Sequence, residues 1–178
     1  MFTIIIKADF ETLGKISEKL DELKSFQHKE FMINKLYLQR FTRNEFVESL
    51  GVPVCPYCNR NFVNSAKKRT MCDLDHFYNK DEYPLLAVSF YNLVPVCHSC
   101  NHAKGTKNID YSPHDKKYKT NDLVNFDFYL RSMNFLYNSK DIGVEIEESK
   151  QFVRNIKVLK LSEVYQIHSD IVQDCIKR

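Results

Sequence analysis

The 178-residue chain is 43% hydrophobic and 28% charged, with four glycines and five prolines. That composition suits an ordered soluble protein with one domain-sized core, or a small core with helical extensions; it excludes long linkers and low-complexity sequence, and no run approaches membrane-spanning length. The net charge of +3 is modest but concentrated: residues 51–120 hold 10 Lys/Arg against 6 Asp/Glu, while residues 1–50 balance at 8 and 8 and residues 121–178 hold 8 and 9. A basic middle points toward a polyanionic partner such as nucleic acid.

The opening residues, MFTIIIKADFETLGK, have a short apolar run but no basic start, long apolar segment or small-residue cleavage site, so they do not read as a signal peptide. A cytoplasmic location is expected, where structural disulfides are improbable. Over 9–26, Phe10, Leu13, Ile16, Leu20, Leu23 and Phe26 recur at steps of three and four, the apolar face of an amphipathic helix. A second helix is expected over about 29–41. In TRNEFVESLG, Thr42 is placed as N-cap, Glu45 as its capping-box partner and Gly51 as the stop. Residues 1–51 thus form a helical extension that braces the next unit or contacts a partner.

Residues 52–115 are irregular and rich in Cys, His, Asn and Lys, with short strands and one helix starting near Cys100. Small metal-stapled units have this composition. Beyond them, VNFDFYLRSMNFLYN and GVEIEES alternate as two strands of a hairpin. LSEVYQIHSDIVQDCIKR then puts Leu161, Val164, His168, Ile171, Val172 and Cys175 on one helical stripe. The fold class is therefore α+β, with residues 1–51, 52–115 and 116–178 as helical extension, core, and terminal hairpin and helix.

Four of the six cysteines stand in Cys-x-x-Cys pairs, Cys55/Cys58 and Cys97/Cys100, separated by 38 residues. Four thiolates make a closed tetrahedral set suited to structural zinc, with no open position for catalysis, in preference to redox dithiols or an iron–sulfur cluster. Such an ion fastens the ends of a segment too short to bury enough apolar surface alone. Cys72 and Cys175 are expected as free thiols, Cys175 buried.

Between the knuckles lie CDLDHFYNK, with Asp75 next to His76, and SFYNLVPVC, with Asn92 just before the second knuckle; Asn101 follows that knuckle directly. Adjacent strand residues face opposite ways, so an Asp-His pair can direct a carboxylate and an imidazole at different objects. Read alone, Asp75 pairs with a lysine and His76 is a satisfied structural histidine.

The ordered set CPYC, LDH, YNLVPVC and CHSCNHAKG, over about residues 53–107, resembles the HNH (ββα-metal) endonucleases, within them the subset braced by two Cys-x-x-Cys knuckles. With the later KLSEVYQIH, the chain is also similar to the HNH subunit of Septu-type bacterial anti-phage systems, which implies an ATPase partner. The resemblance implies a one-metal DNA endonuclease. In it Asp75 and Asn101 bind Mg²⁺ or Mn²⁺, His76 is the general base, and Asn92 braces the loop between the strands and orients His76. Asn101 stands where a final histidine is common, making an H-N-N variant.

Lys67, Lys68, Arg69, Lys104 and Lys107 are candidate phosphate contacts, against the plainer reading of a solvated basic face. His98 and His102 are ambiguous, and His114 and His168 are read as structural. The competing reading of the whole chain is a zinc-stabilised nucleic-acid-binding or adaptor module without cleavage activity.

Overall fold

The computed structural model describes residues 2–21, 29–66, 69–119 and 122–178. The chain forms two compact units, residues 1–115 and 116–178. Helices and short antiparallel strands alternate in separate pairs, so the architecture is α+β. Among the described residues no helix is long and apolar enough to cross a membrane.

In the first unit, α1 (Phe2–Lys7) leads to α2 (Phe10–Asp21). Asp9 caps α2 by accepting from Thr12 N–H at 2.9 Å, which satisfies one of the donors a helix start leaves unpaired. The stripe on α2 buries Leu13 against Ala8 and Leu86, with Ile16, Leu20, Tyr78, Tyr83 and Tyr91 packed around them. Leu23 and Phe26, expected on the same stripe, lie outside the described residues.

Next come a π-helix (Phe31–Tyr37), α3 (Leu38–Arg40) and α4 (Arg43–Leu50). The expected start and stop of α4 fall as spaced, with Gly51 at φ 59° donating to Glu48 O. Thr42 is the N-cap residue, but its side chain makes no capping hydrogen bond. Two-residue strands β1 (Ser65–Ala66) and β2 (Arg69–Thr70) pair with each other. Then β3 (Asp73–His76) pairs antiparallel with β4 (Leu93–Val96), in the register Asp73↔Val96, Leu74↔Pro95, Asp75↔Val94 and His76↔Leu93. Helix α5 (His98–Lys104) follows β4 immediately.

The second unit is a hairpin of β5 (Val124–Leu130) and β6 (Ile142–Glu148) followed by α6 (Val153–Leu159), α7 (Leu161–Gln166) and α8 (Ser169–Ile176). Ile142, Val144 and Ile146 of β6 are buried with Phe152, Ile156, Leu159 and Leu161. The single helix expected from Leu161 onward is broken: His168 N–H bonds Tyr165 O, a tighter closure than an α-turn, and His168 becomes the N-cap residue of α8. The stripe is accordingly split, with Leu161 buried but Ile171 exposed.

Candidate functional site

Each cysteine pair is aimed by its own turn. At the first knuckle, Cys55 N–H bonds Asn61 O at 2.8 Å and Asn59 N–H bonds Cys55 O at 2.7 Å. Asn59 takes φ 48°, a left-handed conformation that asparagine tolerates. At the second, Cys97 is the N-cap residue of α5 and its carbonyl accepts from Asn101 N–H at 3.0 Å, so Cys97 and Cys100 share the helix's first turn.

All four sulfurs are buried and lie within 4.8 Å of one another, with Cys58 Sγ and Cys97 Sγ 3.9 Å apart. Ligands of a tetrahedral zinc at ~2.3 Å stand about 3.8 Å from each other, so this spacing fits that ion. Hydrogen bonds among the sulfurs split their acidities: a hydrogen bond from Cys100 holds Cys58 down to about 2, whereas hydrogen bonds to Cys55 and Cys58 push Cys100 upward. The four cysteines could hold zinc. Cys175, expected to be buried, is exposed, and Cys72 is buried.

The strand pair β3–β4 and helix α5 hold the rest of the site. Residues two apart on a strand share a face, and Asp73 and Asp75 both meet α5, whose residues 98, 101 and 104 lie on one side at steps of three. At the start of the helix, Asp73 Oδ2 accepts from His98 Nδ1 at 2.8 Å and from Asn101 Nδ2 at 3.1 Å. At its end, Lys104 Nζ donates to Asp75 Oδ1 at 3.0 Å and to His76 O at 2.9 Å. The other oxygen of Asp75 accepts from Tyr57 O–H at 2.7 Å.

These two clusters differ in access. Asp75 is 4% exposed and Lys104 1%, and burial raises the Asp75 carboxyl while Lys104 and Tyr57 pull it back. By contrast the His98 side chain is 87% exposed and that of Asp73 30%. Lys104, expected at a phosphate, is thus enclosed, because its stem runs into the seam where Asp75 waits for a counter-charge. Arg69 and Lys107 are exposed; Lys67 and Lys68 lie outside the described residues.

His76 is 8% exposed. Its Nε2 donates to Ala87 O at 3.0 Å, and the ring of Tyr37 packs edge-on at 4.6 Å. Burial lowers its pKa to about 4, with Lys80 and Lys104 adding to the effect, so it is neutral at pH 7. Asn92 is fully buried: its Oδ1 accepts from Tyr78 N–H at 2.7 Å, and its Nδ2 donates to Tyr78 O at 3.1 Å and Leu86 O at 3.0 Å. It therefore ties both ends of the 78–86 loop together and reaches His76 at one remove, through Leu86 and its neighbour Ala87.

No hydrogen bond joins Asp75 to Asn101; the Asn101 amide donates to Asp73 instead. Asp73, Tyr37 and Tyr57 are site residues that the sequence reading did not single out. The two-residue spacing of Asp73 and Asp75 was a usable signal for the first, and nothing local marked the tyrosines.

Taken together, fold and site define an α+β protein with a buried four-cysteine centre suited to zinc. Among curated proteins, the Septu protein PtuB of Bacillus thuringiensis is 37% identical over 59 residues, which is 33% of this chain and 22% of that protein. The matched segment spans about a fifth of that relative's length. No protein-family model matches the chain, and no solved structure is significantly similar to it.

Proposed function

We propose that the chain is an HNH (ββα-metal) endonuclease that hydrolyses DNA phosphodiester bonds, and that it serves as the nuclease effector of a bacterial anti-phage system alongside an ATPase partner. The observation that carries this reading is the order β3–β4–α5 with Asp75-His76 ending the first strand, Asn92 bracing the loop, and Asn101 opening the helix beside the cysteine centre. Partial identity to a Septu protein supports the defence setting.

In this reading His76 takes the proton from the attacking water. Its Nε2–H is committed to Ala87 O, which leaves Nδ1 as the proton acceptor, and a neutral ring at pH 7 is ready to accept. Asn92 fixes the loop that carries Ala87. Arg69 and Lys107, on the surface of the basic middle, draw in the phosphate backbone. The Cys₄ zinc supports this frame and takes no part in the reaction.

A hard divalent cation, Mg²⁺ or Mn²⁺, supplies charge neutralisation at the phosphoryl group. The motif assigns it to Asp75 and Asn101. Those two residues do not form a ready seat, because both Asp75 oxygens are committed to Tyr57 and Lys104.

That engagement favours a second reading, a zinc-stabilised nucleic-acid-binding or adaptor module without cleavage. The two are separated by incubating supercoiled plasmid with zinc-loaded protein in Mg²⁺ or Mn²⁺, alone and with the co-expressed ATPase. Nicking by the wild type that is lost in His76→Ala supports the nuclease. DNA binding with no nicking under any condition supports the module instead.

A further inference from the structure

The assigned metal pair and the observed contacts disagree, and the disagreement is instructive. We propose that Asp73, His98 and Asn101 form the seat for a divalent cation that accepts mixed oxygen and nitrogen ligands, such as Mn²⁺, distinct from the four-cysteine centre. The proposal rests on the nuclease reading only in sharing Asn101 with it, and it gives the cation a carboxylate, an imidazole and an amide as ligands.

Three features point there. Asp73 Oδ2 already gathers His98 Nδ1 at 2.8 Å and Asn101 Nδ2 at 3.1 Å, so three potential ligands converge on one spot before any ion arrives. Turning the Asn101 amide presents its oxygen in place of its nitrogen, and an ion then replaces the hydrogens that join the three side chains. The cluster is also open: the Asp73 and His98 side chains are 30% and 87% exposed, which leaves positions for water and a ligand, as a non-structural site requires. Asp75, in contrast, is 4% exposed and accepts from Tyr57 and the Lys104 ammonium, so a cation there has to displace a buried charge.

The frame is rigid where it needs to be. His98 sits between Cys97 and Cys100, so the same turn that aims the sulfurs fixes the histidine, and Asn101 bonds Cys97 O through its backbone. Asp73 is held by its pairing with Val96. An imidazole among the ligands shifts preference from Mg²⁺ toward Mn²⁺, Co²⁺ or Ni²⁺.

The test uses zinc-loaded full-length protein and Mn²⁺ alone, without nucleic acid. Loss of the free-ion electron paramagnetic resonance signal measures binding, and pulsed spectra of the bound ion report any directly coordinated imidazole nitrogen. We expect binding in the wild type with an imidazole nitrogen coupling, loss of that coupling in His98→Ala, and at least about a 10-fold weaker affinity in Asp73→Asn. Both positions are partly or largely exposed, so these variants keep the fold. Wild-type affinity in Asp73→Asn, or a bound ion with no nitrogen coupling, overturns the proposal, and the second result returns the cation to Asp75 and Asn101. Plasmid cleavage is scored separately: tight Mn²⁺ binding without cleavage keeps this seat and sinks the nuclease, whereas cleavage unaffected by Asp73→Asn does the reverse.

Discussion

Lys104 donates to Asp75 at 3.0 Å across the seam between β3 and α5, with the two side chains only 1% and 5% exposed. Neither charge tolerates that enclosure alone. The ammonium is further held by the His76 carbonyl, and the carboxylate by Tyr57, so the four groups act as one unit that fixes the end of β3 against α5.

Removing one charge leaves the other buried without compensation. Lys104→Met is therefore expected to destabilise the protein by about 3–5 kcal/mol in chemical denaturation. Lys104→Met combined with Asp75→Asn is expected to cost less than the two single changes added together. Additive losses in the double-mutant cycle speak against a coupled pair.

Asn92→Ala strips the partner from Tyr78 N–H and from two carbonyls in a fully buried place. A loss of about 3 kcal/mol is expected from these orphaned groups. Since the loop also carries Ala87, the His76 imidazole should gain solvent, and its NMR titration should move upward from about 4. An unmoved His76 titration detaches Asn92 from that role.

One zinc per chain is expected by elemental analysis, lost in Cys58→Ser or Cys97→Ser and retained in Cys72→Ser and Cys175→Ser. Stripping the ion with a chelator should unfold the segment that the two knuckles close, because its core is too small to hold without the metal. A zinc-free protein with an unchanged melting temperature contradicts a structural centre.

Stability should fall on mild acidification. His76 titrates near 4 when folded, because burial disfavours the charged ring, against about 6.5 for an exposed histidine. Between those values the unfolded chain binds the extra proton, so the stabilisation is present above pH 6.5 and is lost progressively as pH falls toward 4, on the order of 3 kcal/mol in all. His114, lowered by the same cause, adds in the same direction. Asp75 opposes them, since its carboxyl is raised by burial and gains its proton earlier when folded. The denaturation free energy of His76→Asn, followed from pH 7 to 5, should show a shallower loss than the wild type.

Several features could be read along the chain because they depend on near neighbours. Cys-x-x-Cys spacing dictates a turn that aims two sulfurs together, and the two turns do bring their four sulfurs within 4.8 Å. The alternation in VNFDFYLRSMNFLYN and GVEIEES yields the β5–β6 hairpin, although the first strand ends at Leu130 and a 3-10 turn takes up Met133–Leu136, and the stop at Gly51 follows from its freedom to take φ 59°. The helical stripe after Leu161 misled, because periodicity does not register a tight turn such as the one closing at His168.

Sequence alone thus determined the α+β class and the four-cysteine set, both matters of spacing and residue type. Only the tertiary structure decided which oxygen meets which nitrogen. Asp73 and Asp75 are equivalent on a strand face, and Asn101 and Lys104 are equivalent on a helix face. The register of β3 against α5 pairs Asp73 with Asn101 and Asp75 with Lys104. That register is set by packing and burial across nearly thirty residues of intervening chain, where local pattern carries no information.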